Sequence, residues 1–390
     1  MKKVCNYSSC TGCGVCESVC PKNCIEMRYN NLGAFEPQID QSKCIECGMC
    51  QKKCPNNNLK KENFKLAQIA YYAKVNDKKI YNNSSSGGIA TQIALYFIKR
   101  GGVVYAAVMN TEKVEVSHLR ITSEEKLYQS QGSKYVQSKI GCDTYKKIEA
   151  DVKADKDILF IGTPCQVAGV QAYLGHDADR IFYVDLVCHG IPGEQVFKEY
   201  IYHELKTKKL EKISFRTKKF FCITYSKFAN SQEKNIPLTP ATSLYYHGFM
   251  SGSIYRKSCY NCKYAKRERL ADVTLGDTDY CEDGQIYSSV ILYSDKANVI
   301  FKQIKGIKKV ETELECMLNS HAQLNAPMPI TKEQQKFEKY CAKGTTWSAL
   351  KRMNRKKTIL TFLRKKMYGF QSLYRLSMKV PGIRKILRMN

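Results

Sequence analysis

Residues 10–21 read CTGCGVCESVCP and residues 44–55 read CIECGMCQKKCP. Both stretches fit the spacing C-x₂-C-x₂-C-x₃-C-P, and each landmark of the second lies 34 residues after its counterpart, which indicates an internal duplication. In this spacing, three thiolates two residues apart wrap one iron–sulfur cube, and the fourth crosses to the other cube. A zinc site would have no use for the crossed cysteine. The pattern therefore predicts two 4Fe–4S clusters.

The crossing rule assigns four cysteines to each cluster. The first set is Cys10, Cys13, Cys16 and Cys54, and the second set is Cys44, Cys47, Cys50 and Cys20. Gly14 and Gly48 allow the backbone to approach the inorganic sulfides, where amide N–H groups can donate hydrogen bonds. Residues 1–58 resemble the bacterial two-cluster ferredoxins. Because such a domain only moves single electrons, the rest of the chain must hold whatever exchanges electrons with it.

Length and composition describe a folded protein with an unusual number of thiols. The chain has 390 residues, of which 43% are hydrophobic, and this excludes global disorder. The length suggests about two or three domains. We find neither an apolar leader nor a run of ~18 apolar residues, so we expect a cytoplasmic protein with reduced thiols. There, 19 cysteines call for a ligand or catalytic explanation.

The positive charge is concentrated at the carboxyl end of the chain. Residues 351–390 contain 13 of the basic residues behind the net charge of +27, and no acidic residue. Apolar residues recur there with the period of one helix face, at Leu360, Leu363, Met367, Phe370 and Tyr374. Such a helix is typical of contact with an anionic membrane surface or partner, or of docking on its own protein. No nucleic-acid recognition module is visible, so no nucleic-acid partner is expected.

The middle of the chain has the pattern of an α/β domain. We predict a strand at Ile69–Val75, a helix at Ile89–Lys99 and a strand at Val103–Val108. The small-residue loop 82–88 opens that helix, where free N–H groups would seat a phosphate, although an ordinary flexible turn explains the loop equally well. Gln131–Tyr135, just before a predicted helical stretch, is a second anion-binding candidate. Its alternative is a helix cap with a solvated lysine.

Two cysteines follow buried strands. A predicted strand at Asp157–Gly162 runs into Cys165, and one at Ile181–Val187 runs into Cys188. The segment Val167–Leu174 can serve as the crossover helix between them, which would make the strands parallel. Both cysteines would then lie at the carboxyl edge of the sheet, where open α/β sheets carry their sites.

Cys259 and Cys262 offer two more thiols on one turn. Together with Cys165 and Cys188 they would complete a four-thiolate site. The residues alone leave other interpretations open. Cys165 and Cys188 can be unrelated core thiols, and Cys259 and Cys262 can form a redox dithiol or half of a zinc site.

Six motifs resemble, in order and approximate spacing over roughly residues 65–330, the coenzyme F₄₂₀ hydrogenase/dehydrogenase beta-subunit family. They are Ser84–Gly88, Gly162–Gln166, Cys188–Gly190, Phe215–Lys218, Cys259-x₂-Cys262 and Ala271–Asp277. Members are flavoproteins that pass electrons between iron–sulfur clusters and a two-electron carrier through FAD, and some have a ferredoxin domain in front. Many relatives follow the Gly-Asp pair with a Trp-Gly step, whereas this chain has Thr278–Cys281, which puts local contacts in doubt.

The resemblance implies two further sets of site residues. One set would help hold FAD: Ser86, Gly87, Gly88, Ser133 and Lys134. The other would bind a third 4Fe–4S cluster near the flavin: Cys165, Cys188, Cys259 and Cys262. Zinc remains the alternative occupant of that third site.

The resemblance also suggests roles for four single residues. Arg216 and Lys218 would lie near anionic groups of FAD or substrate, with solvated surface charge as the alternative. His189 is a candidate proton donor, and a hydrogen-bonded structural histidine is its alternative. Asp277 would orient a cluster-bearing loop, or it caps a turn. The remaining cysteines stay unassigned: Cys5, Cys24, Cys142, Cys222, Cys281, Cys316 and Cys341.

The expected architecture is α/β (mixed α+β) and has four parts. They are a ferredoxin-like 2×4Fe–4S domain at 1–58, a linker at 59–68, an FAD-binding α/β domain at 69–345 with halves at about 69–150 and 155–330, and a basic helical tail at 346–390. Its carboxyl-terminal part would be the tail that contacts an anionic membrane, through residues 351–390.

The sequence indicates an FAD- and 4Fe–4S-dependent oxidoreductase. It would pass electrons between ferredoxin-type clusters and an organic two-electron substrate, such as coenzyme F₄₂₀ or a small-molecule or lipid-linked intermediate of a surface-polysaccharide pathway. A redox donor or acceptor protein is the expected partner. The alternatives are a non-catalytic electron-transfer subunit that serves a partner enzyme, and a basic scaffold whose clusters are structural.

Overall fold

A computed structural model describes residues 3–59, 61–208, 210–216, 218, 223–226, 239, 242–282 and 284–354. The strands are β1 (Ile25–Tyr29), β2 (Phe35–Ile39), β3 (Ile69–Val75), β4 (Val103–Asn110), β5 (Glu115–Ile121), β6 (Ser138–Lys139), β7 (Ile158–Gly162), β8 (Ile181–Leu186), β9 (Lys212–Ser214), β10 (Thr224–Ser226), β11 (Val273–Glu282), β12 (Gln285–Leu292) and β13 (Ile307–Thr312). The helices are α1 (Val15–Ser18), α2 (Met49–Lys52), α3 (Lys78–Asn83), α4 (Ile89–Lys99), α5 (Glu124–Tyr128), α6 (Cys142–Lys153), α7 (Pro164–Leu174), α8 (Glu194–Glu204), α9 (Leu244–Met250), α10 (Asp295–Gln303), α11 (Leu314–Ser320), α12 (Lys332–Cys341) and α13 (Thr346–Met353).

The amino-terminal part folds around the duplicated cysteine motif. Strands β1 and β2 form an antiparallel hairpin, and the inward residues of β1, Ile25 and Met27, are buried among the cysteines. The short helices α1 and α2 follow Gly14 (φ 81°) and Gly48 (φ 73°). Both glycines have left-handed backbone conformations, which residues with a Cβ rarely adopt. The sequence duplication therefore gives two equivalent loop–helix units beside one hairpin.

A nine-stranded mixed sheet forms the body of the described chain. Its strand order is β13-β3-β12-β11-β8-β7-β4-β5-β6. The central strands β11, β8, β7 and β4 run parallel, and β12, β3 and β13 add antiparallel pairs at one side. Strands β7 and β8 are buried over nearly their whole length, which is typical of strands covered on both faces. The expected α/β (mixed α+β) fold class is confirmed.

Helices cover both faces of the central strands. Residues of α4 and α10 pack with Val104 and Leu159 in one core cluster. Residues of α6 and α7 pack with Tyr105 and Phe160 in another. Because successive side chains of a strand point to opposite faces, neighbouring residues of β4 and β7 belong to different clusters. This two-sided packing buries the central strands, and their carboxyl ends meet at one edge of the sheet, where open α/β sheets carry their sites.

Several elements lie where the sequence predicted them. The strand at Ile69–Val75 and the helix at Ile89–Lys99 are confirmed residue for residue. The predicted crossover helix at Val167–Leu174 begins earlier, at Pro164. Its first turn is stabilised by the Gln166 side-chain oxygen, which accepts a hydrogen bond from the Thr163 N–H at 2.9 Å. Cys165 therefore lies inside the first helical turn.

One prediction of local structure is wrong. Gln131–Tyr135 does not lead into a helix, because Ser138 and Lys139 pair as a short parallel strand with β5 before α6 begins. The candidate anion-binding segment is instead an irregular loop between α5 and the edge strand β6.

The two parts of the molecule share buried contacts. Tyr145 donates a hydrogen bond from its hydroxyl to the carbonyl of Cys13 at 2.8 Å. The side-chain oxygen of Gln137 accepts one from the N–H of Phe35 at 3.3 Å. Leu32, at the tip of the hairpin, belongs to a core cluster of the main body. The ferredoxin-like part is thus docked on the body through its own backbone.

The expected carboxyl-terminal tail begins with a packed helix. Trp347 and Leu350 of α13 are buried in the main core, and Glu199 accepts hydrogen bonds from Thr346 and from the N–H of Trp347. The predicted basic amphipathic face lies, from residue 355 onward, outside the described residues, as do Thr217 and Cys222.

Among the described residues, no helix combines the length and the apolar character that crossing a bilayer requires.

Candidate redox site

Two cavities of the amino-terminal domain are lined by thiols from both halves of the duplication. One cavity is lined by Cys5 and by all of the first set, Cys10, Cys13, Cys16 and Cys54. The other cavity is lined by Cys24 and by all of the second set, Cys20, Cys44, Cys47 and Cys50. The structure therefore brings each crossed set together. Four cysteine thiols around one cavity are the ligand set of a cubane cluster.

Cys5 and Cys24 are fifth thiols that the sequence analysis did not place. The Cys24 sulfur lies 3.3 Å from the Cys20 sulfur. Cys5 makes hydrogen bonds to Cys10 and Cys54. The hydrogen bond from the Cys5 thiol is the main reason why the pKa of Cys54 is lowered to about 6. Each fifth thiol thus lies beside the crossed cysteine of its cavity. The cluster spacing contains no signal for this.

The two cavities differ in their access to solvent. In the first set, Cys10, Cys16 and Cys54 are buried, and Cys13 packs against the main body. In the second set, Cys47 is exposed and neighbouring Ile45 is 56% exposed. The second site faces outward, and the first site lies toward the body.

The third set of thiols lies at the carboxyl edge of the sheet. Because β7 and β8 are parallel, Cys165 and Cys188 emerge at the same edge, as the sequence predicted. Burial, and then the neighbouring thiols, raise the pKa of Cys188 to about 12 and that of Cys262 to about 11, and the same causes raise the pKa of Cys259 well above its usual value. Thiolates crowded in a buried place need a bound cation, and a metal cluster supplies it.

The first and third sets are neighbours. Gly169 lies one turn after Cys165 on α7, and a Cβ atom added there would stand 3.0 Å from the Cys13 Cβ. Buried Tyr264 is close to both sets, because after burial the thiols of Cys165 and Cys13 are the main causes that raise its pKa. The first and third thiol sets therefore lie close to each other.

The two candidate anion-binding loops meet each other. The Ser85 hydroxyl accepts hydrogen bonds from the N–H and the hydroxyl of Ser133, at 2.8 and 2.9 Å. The hydroxyls of Ser86 and Ser288 lie 2.9 Å apart, and Ser288 also accepts a hydrogen bond from the N–H of Gly87. Ser288, on β12, has no motif around it and was missed by the sequence analysis.

Two lysines lie beside these loops without a carboxylate partner in the described part of the chain. Lys134 donates to carbonyls of its own loop, including those of Gln131 and Gly132 at 3.0 and 3.1 Å. Lys218 donates to the carbonyl of Ser86, and its ammonium lies 3.7 Å from the centre of the Tyr81 ring. Burial lowers the pKa of Lys134 to about 7 and that of Lys218 to about 8. Lysine side chains beside polar loops are groups that bind phosphate.

A polar cluster joins these loops to the third thiol set. Arg216 pairs with Asp277, so this arginine is not a solvated surface charge. Burial lowers the pKa of His189 and of His321, and the Asp277 carboxylate opposes the shift in both. The nitrogen Nε2 of His321 lies 2.9 Å from the Ser289 hydroxyl, which donates to the Asp277 carbonyl. His321 therefore donates to Ser289. Sequence analysis missed His321, which lies outside every motif.

The loop between α3 and α4 depends on a glycine at position 87. A Cβ atom there would stand 2.2 Å from the carbonyl oxygen of Ala73 and 2.7 Å from the N–H of Ser288, and neither backbone atom can move without breaking the sheet. We expect Gly87→Ala to lower the free energy of unfolding by about 1–3 kcal/mol, measured by denaturant melts. Gly141→Ala is the matched control, because nothing lies within 4 Å of the added Cβ. Equal stability of the two variants would contradict the described loop packing.

The fold and these sites define the class of protein: an iron–sulfur protein with a ferredoxin-type front domain on an α/β body. Family models match three stretches: the 4Fe-4S dicluster domain at residues 9–58, and the N-terminal and C-terminal domains of the coenzyme F420 hydrogenase/dehydrogenase beta subunit at 70–141 and 155–315. The chain belongs to this beta-subunit family and carries an amino-terminal 4Fe–4S dicluster domain. The resemblance drawn from the sequence is confirmed.

One solved structure that is similar to the chain is described as a xenon derivative of the F420-reducing [NiFe] hydrogenase complex from Methanosarcina barkeri. The match has 17% sequence identity and a TM-score of 0.49, and it covers 72% of this chain and 95% of that chain. No curated protein sequence matches.

Proposed function

We propose that this chain is an iron–sulfur flavoprotein oxidoreductase that passes electrons between its 4Fe–4S clusters and an organic two-electron substrate through FAD. The observation that carries the proposal is the succession of sites: a solvent-facing thiol set, a buried set, a third set at the sheet edge, and then the cationic loops. Bound FAD would supply exchange between single electrons and electron pairs.

The thiol sets follow one another in an order that suits electron transfer. The second set, with exposed Cys47, meets solvent and therefore a redox partner protein. The first set lies between it and the body, and Cys13 packs near helix α7, whose first turn contains Cys165. This proposal assigns a third 4Fe–4S cluster to Cys165, Cys188, Cys259 and Cys262, and electrons can run through the order in either direction.

The residues around the cationic loops would bind and orient the flavin. Lys218 and Lys134 supply positive charge, and Ser86 with the backbone of Gly87 and Gly88 supplies polar groups where α4 begins. His189 follows Cys188 directly and lies near Asp277, so it is the candidate proton donor for the substrate. Coenzyme F₄₂₀ and an intermediate of a surface-polysaccharide pathway are the proposed substrate types.

Metal and flavin content test the proposal directly. We expect anaerobically purified protein to hold about twelve iron atoms, a matching amount of sulfide and one FAD, because three cubanes carry four irons each. The measurement is iron, zinc and acid-labile sulfide assay together with flavin extraction. About eight irons, or zinc in place of the last four, would confine the clusters to the front domain. Three clusters without flavin would contradict the assigned FAD site.

A further inference from the structure

Arg256 is a buried guanidinium that lies between the two parts of the molecule. Its side chain is 4% exposed. Nε and Nη2 donate to the carbonyl of Cys10 at 3.1 and 2.5 Å, and Nη2 also donates to the carbonyl of Phe35 at 3.2 Å. Nε donates in addition to the hydroxyl of Ser258 at 3.1 Å. All of these acceptors are neutral, so none of them balances the charge.

The third nitrogen of Arg256 has no hydrogen-bond partner among the described residues. Nη1 is buried without a hydrogen bond to any of them. A Cβ atom at Gly12, between Cys10 and Cys13, would stand 2.4 Å from Nη1. A buried cation without an anion is costly, so this arrangement needs a counter-charge, and no described carboxylate forms an ion pair with Arg256 to provide it.

The guanidinium acts on thiols of two different sets. At Cys10, the hydrogen bond from Cys5 lowers the pKa most, and Arg256 lowers it further. At Cys165 and Cys259, burial raises the pKa, and Arg256 opposes the rise. The geometry agrees: the side chain donates to the carbonyl of Cys10, and the carbonyl of Arg256 accepts a hydrogen bond from the N–H of Cys259 at 3.0 Å. Arg256 therefore lies beside both the first and the third set.

A second buried arginine differs in having a carboxylate beside it. Arg269 is 2% exposed and also lies near the third set, but it has Asp185 at 3.9 Å and donates to the carbonyl of Tyr264 at 2.7 Å. Nε and Nη2 of Arg269 nevertheless make no hydrogen bond to a described residue. Arg256 forms no ion pair with a described carboxylate, and the charged groups that it faces are the thiols of the first and third sets.

We propose that Arg256 is the shared counter-charge of the first and third clusters and raises the reduction potentials of both. This inference rests on the proposed function, since it requires both clusters. A cluster with four thiolates gains negative charge when it accepts an electron, and a nearby buried cation stabilises the reduced form more than the oxidised form. An electron that leaves one cluster oxidises it and reduces the other, with no bond or proton change. A cation common to both shifts the two potentials in the same direction.

Redox titration of the full-length holoprotein, monitored by electron paramagnetic resonance, tests the proposal. In Arg256→Gln we expect the equilibrium constant for reduction of the first and third clusters to fall about tenfold, which is about 59 mV for a one-electron couple. The second cluster should keep its potential. The signal of the third cluster is assigned with the Cys259→Ala/Cys262→Ala variant, and that of the second cluster with a Cys44→Ala/Cys47→Ala variant. Arg120→Gln is the matched control, because Arg120 pairs with Asp151 at 2.7 Å, away from the thiols.

Each outcome decides for or against the proposal. Unchanged potentials in a fully loaded Arg256→Gln protein, or a shift confined to the second cluster, would overturn it. If this variant loses iron, Arg256→Lys, which retains the charge, is assayed for iron. Loss only in the Gln variant supports the counter-charge, and loss in both variants would assign Arg256 a steric role and overturn it. A wild-type protein with about eight irons would contradict the proposed function, because the third cluster would then be absent. In that case the potential of the first cluster in Arg256→Gln still tests the effect of Arg256 on that cluster, so the failure of the proposed function and the failure of this inference can be distinguished.

Discussion

Replacing Cys259 and Cys262 together by alanine is expected to remove about four iron atoms from the anaerobically purified protein. Both thiols lie in the buried third set at the sheet edge, and two remaining thiols cannot hold a cubane. The ferredoxin-type clusters should remain, since their eight cysteines line separate cavities. We also expect electrons from a reduced partner protein to stop at the front domain, so that bound flavin is no longer reduced. Iron assay, electron paramagnetic resonance and flavin absorbance are the measurements.

The matched control for this loss is Cys316→Ala. Cys316 is an exposed free thiol on α11 and belongs to none of the three sets. It should keep its full iron content and its flavin reduction. Unchanged iron in the double variant would contradict the third cluster, and loss of zinc without loss of iron would show that the site is a zinc site.

Lys218→Met is expected to weaken FAD binding by about 10–100-fold, because a hydrogen bond between charged groups contributes about 1.5–3 kcal/mol. The ammonium of Lys218 donates to the carbonyl of Ser86 in the loop that opens α4, and no described carboxylate pairs with it. Methionine keeps most of the apolar stem over the Tyr81 ring and removes the charge. Titration of the flavin-free protein with FAD, followed by fluorescence, gives the affinity.

The pH dependence of this affinity separates charge from packing. Burial lowers the pKa of Lys218 to about 8 in the free protein, so the ammonium is present at pH 7 and is largely lost at pH 9. Phosphate groups bind the charged form, and wild-type affinity should therefore fall over this interval. In Lys218→Met the decrease of FAD affinity above pH 8 should disappear. The remaining decrease of affinity with pH should centre near the pKa of Lys134, about 7.

Lys208→Met is the matched control for Lys218→Met. Lys208 is exposed and also lies over an aromatic ring, that of Tyr202, at 5.7 Å. Its replacement should leave both the FAD affinity and the pH profile unchanged. A wild-type affinity that stays constant from pH 7 to pH 9 would count against Lys218 as a phosphate-binding residue.

Much of the fold could be predicted where the signal is local. The strand at Ile69–Val75 and the helix at Ile89–Lys99 follow from the spacing of apolar residues and were correct at both ends. The helical stretch predicted to follow Gln131–Tyr135 does not follow directly, because a short edge strand forms there only when β5 is present as a partner. Helix α7 was predicted too short, since its first turn depends on the capping interaction between Thr163 and Gln166.

The residues of the candidate site also fall into those that local sequence patterns mark and those that they do not. The crossed cysteine sets could be assigned from spacing, because the ligand geometry of a cubane is repeated in the local chain. His321, Ser288 and Arg256 could not be found, since each acts through neighbours that are distant along the sequence. No local pattern marks a residue whose role comes from a remote contact.

The amino-acid sequence by itself determined the family, the α/β class of the body and the chemistry of the duplicated motif, because spacing and periodicity act over a few neighbouring residues. Only the tertiary structure decided which set of thiols meets solvent, that the first and third sets are neighbours, and that one buried guanidinium lies near both. These properties arise from docking the hairpin domain on the sheet, and docking depends on packing between residues more than a hundred positions apart.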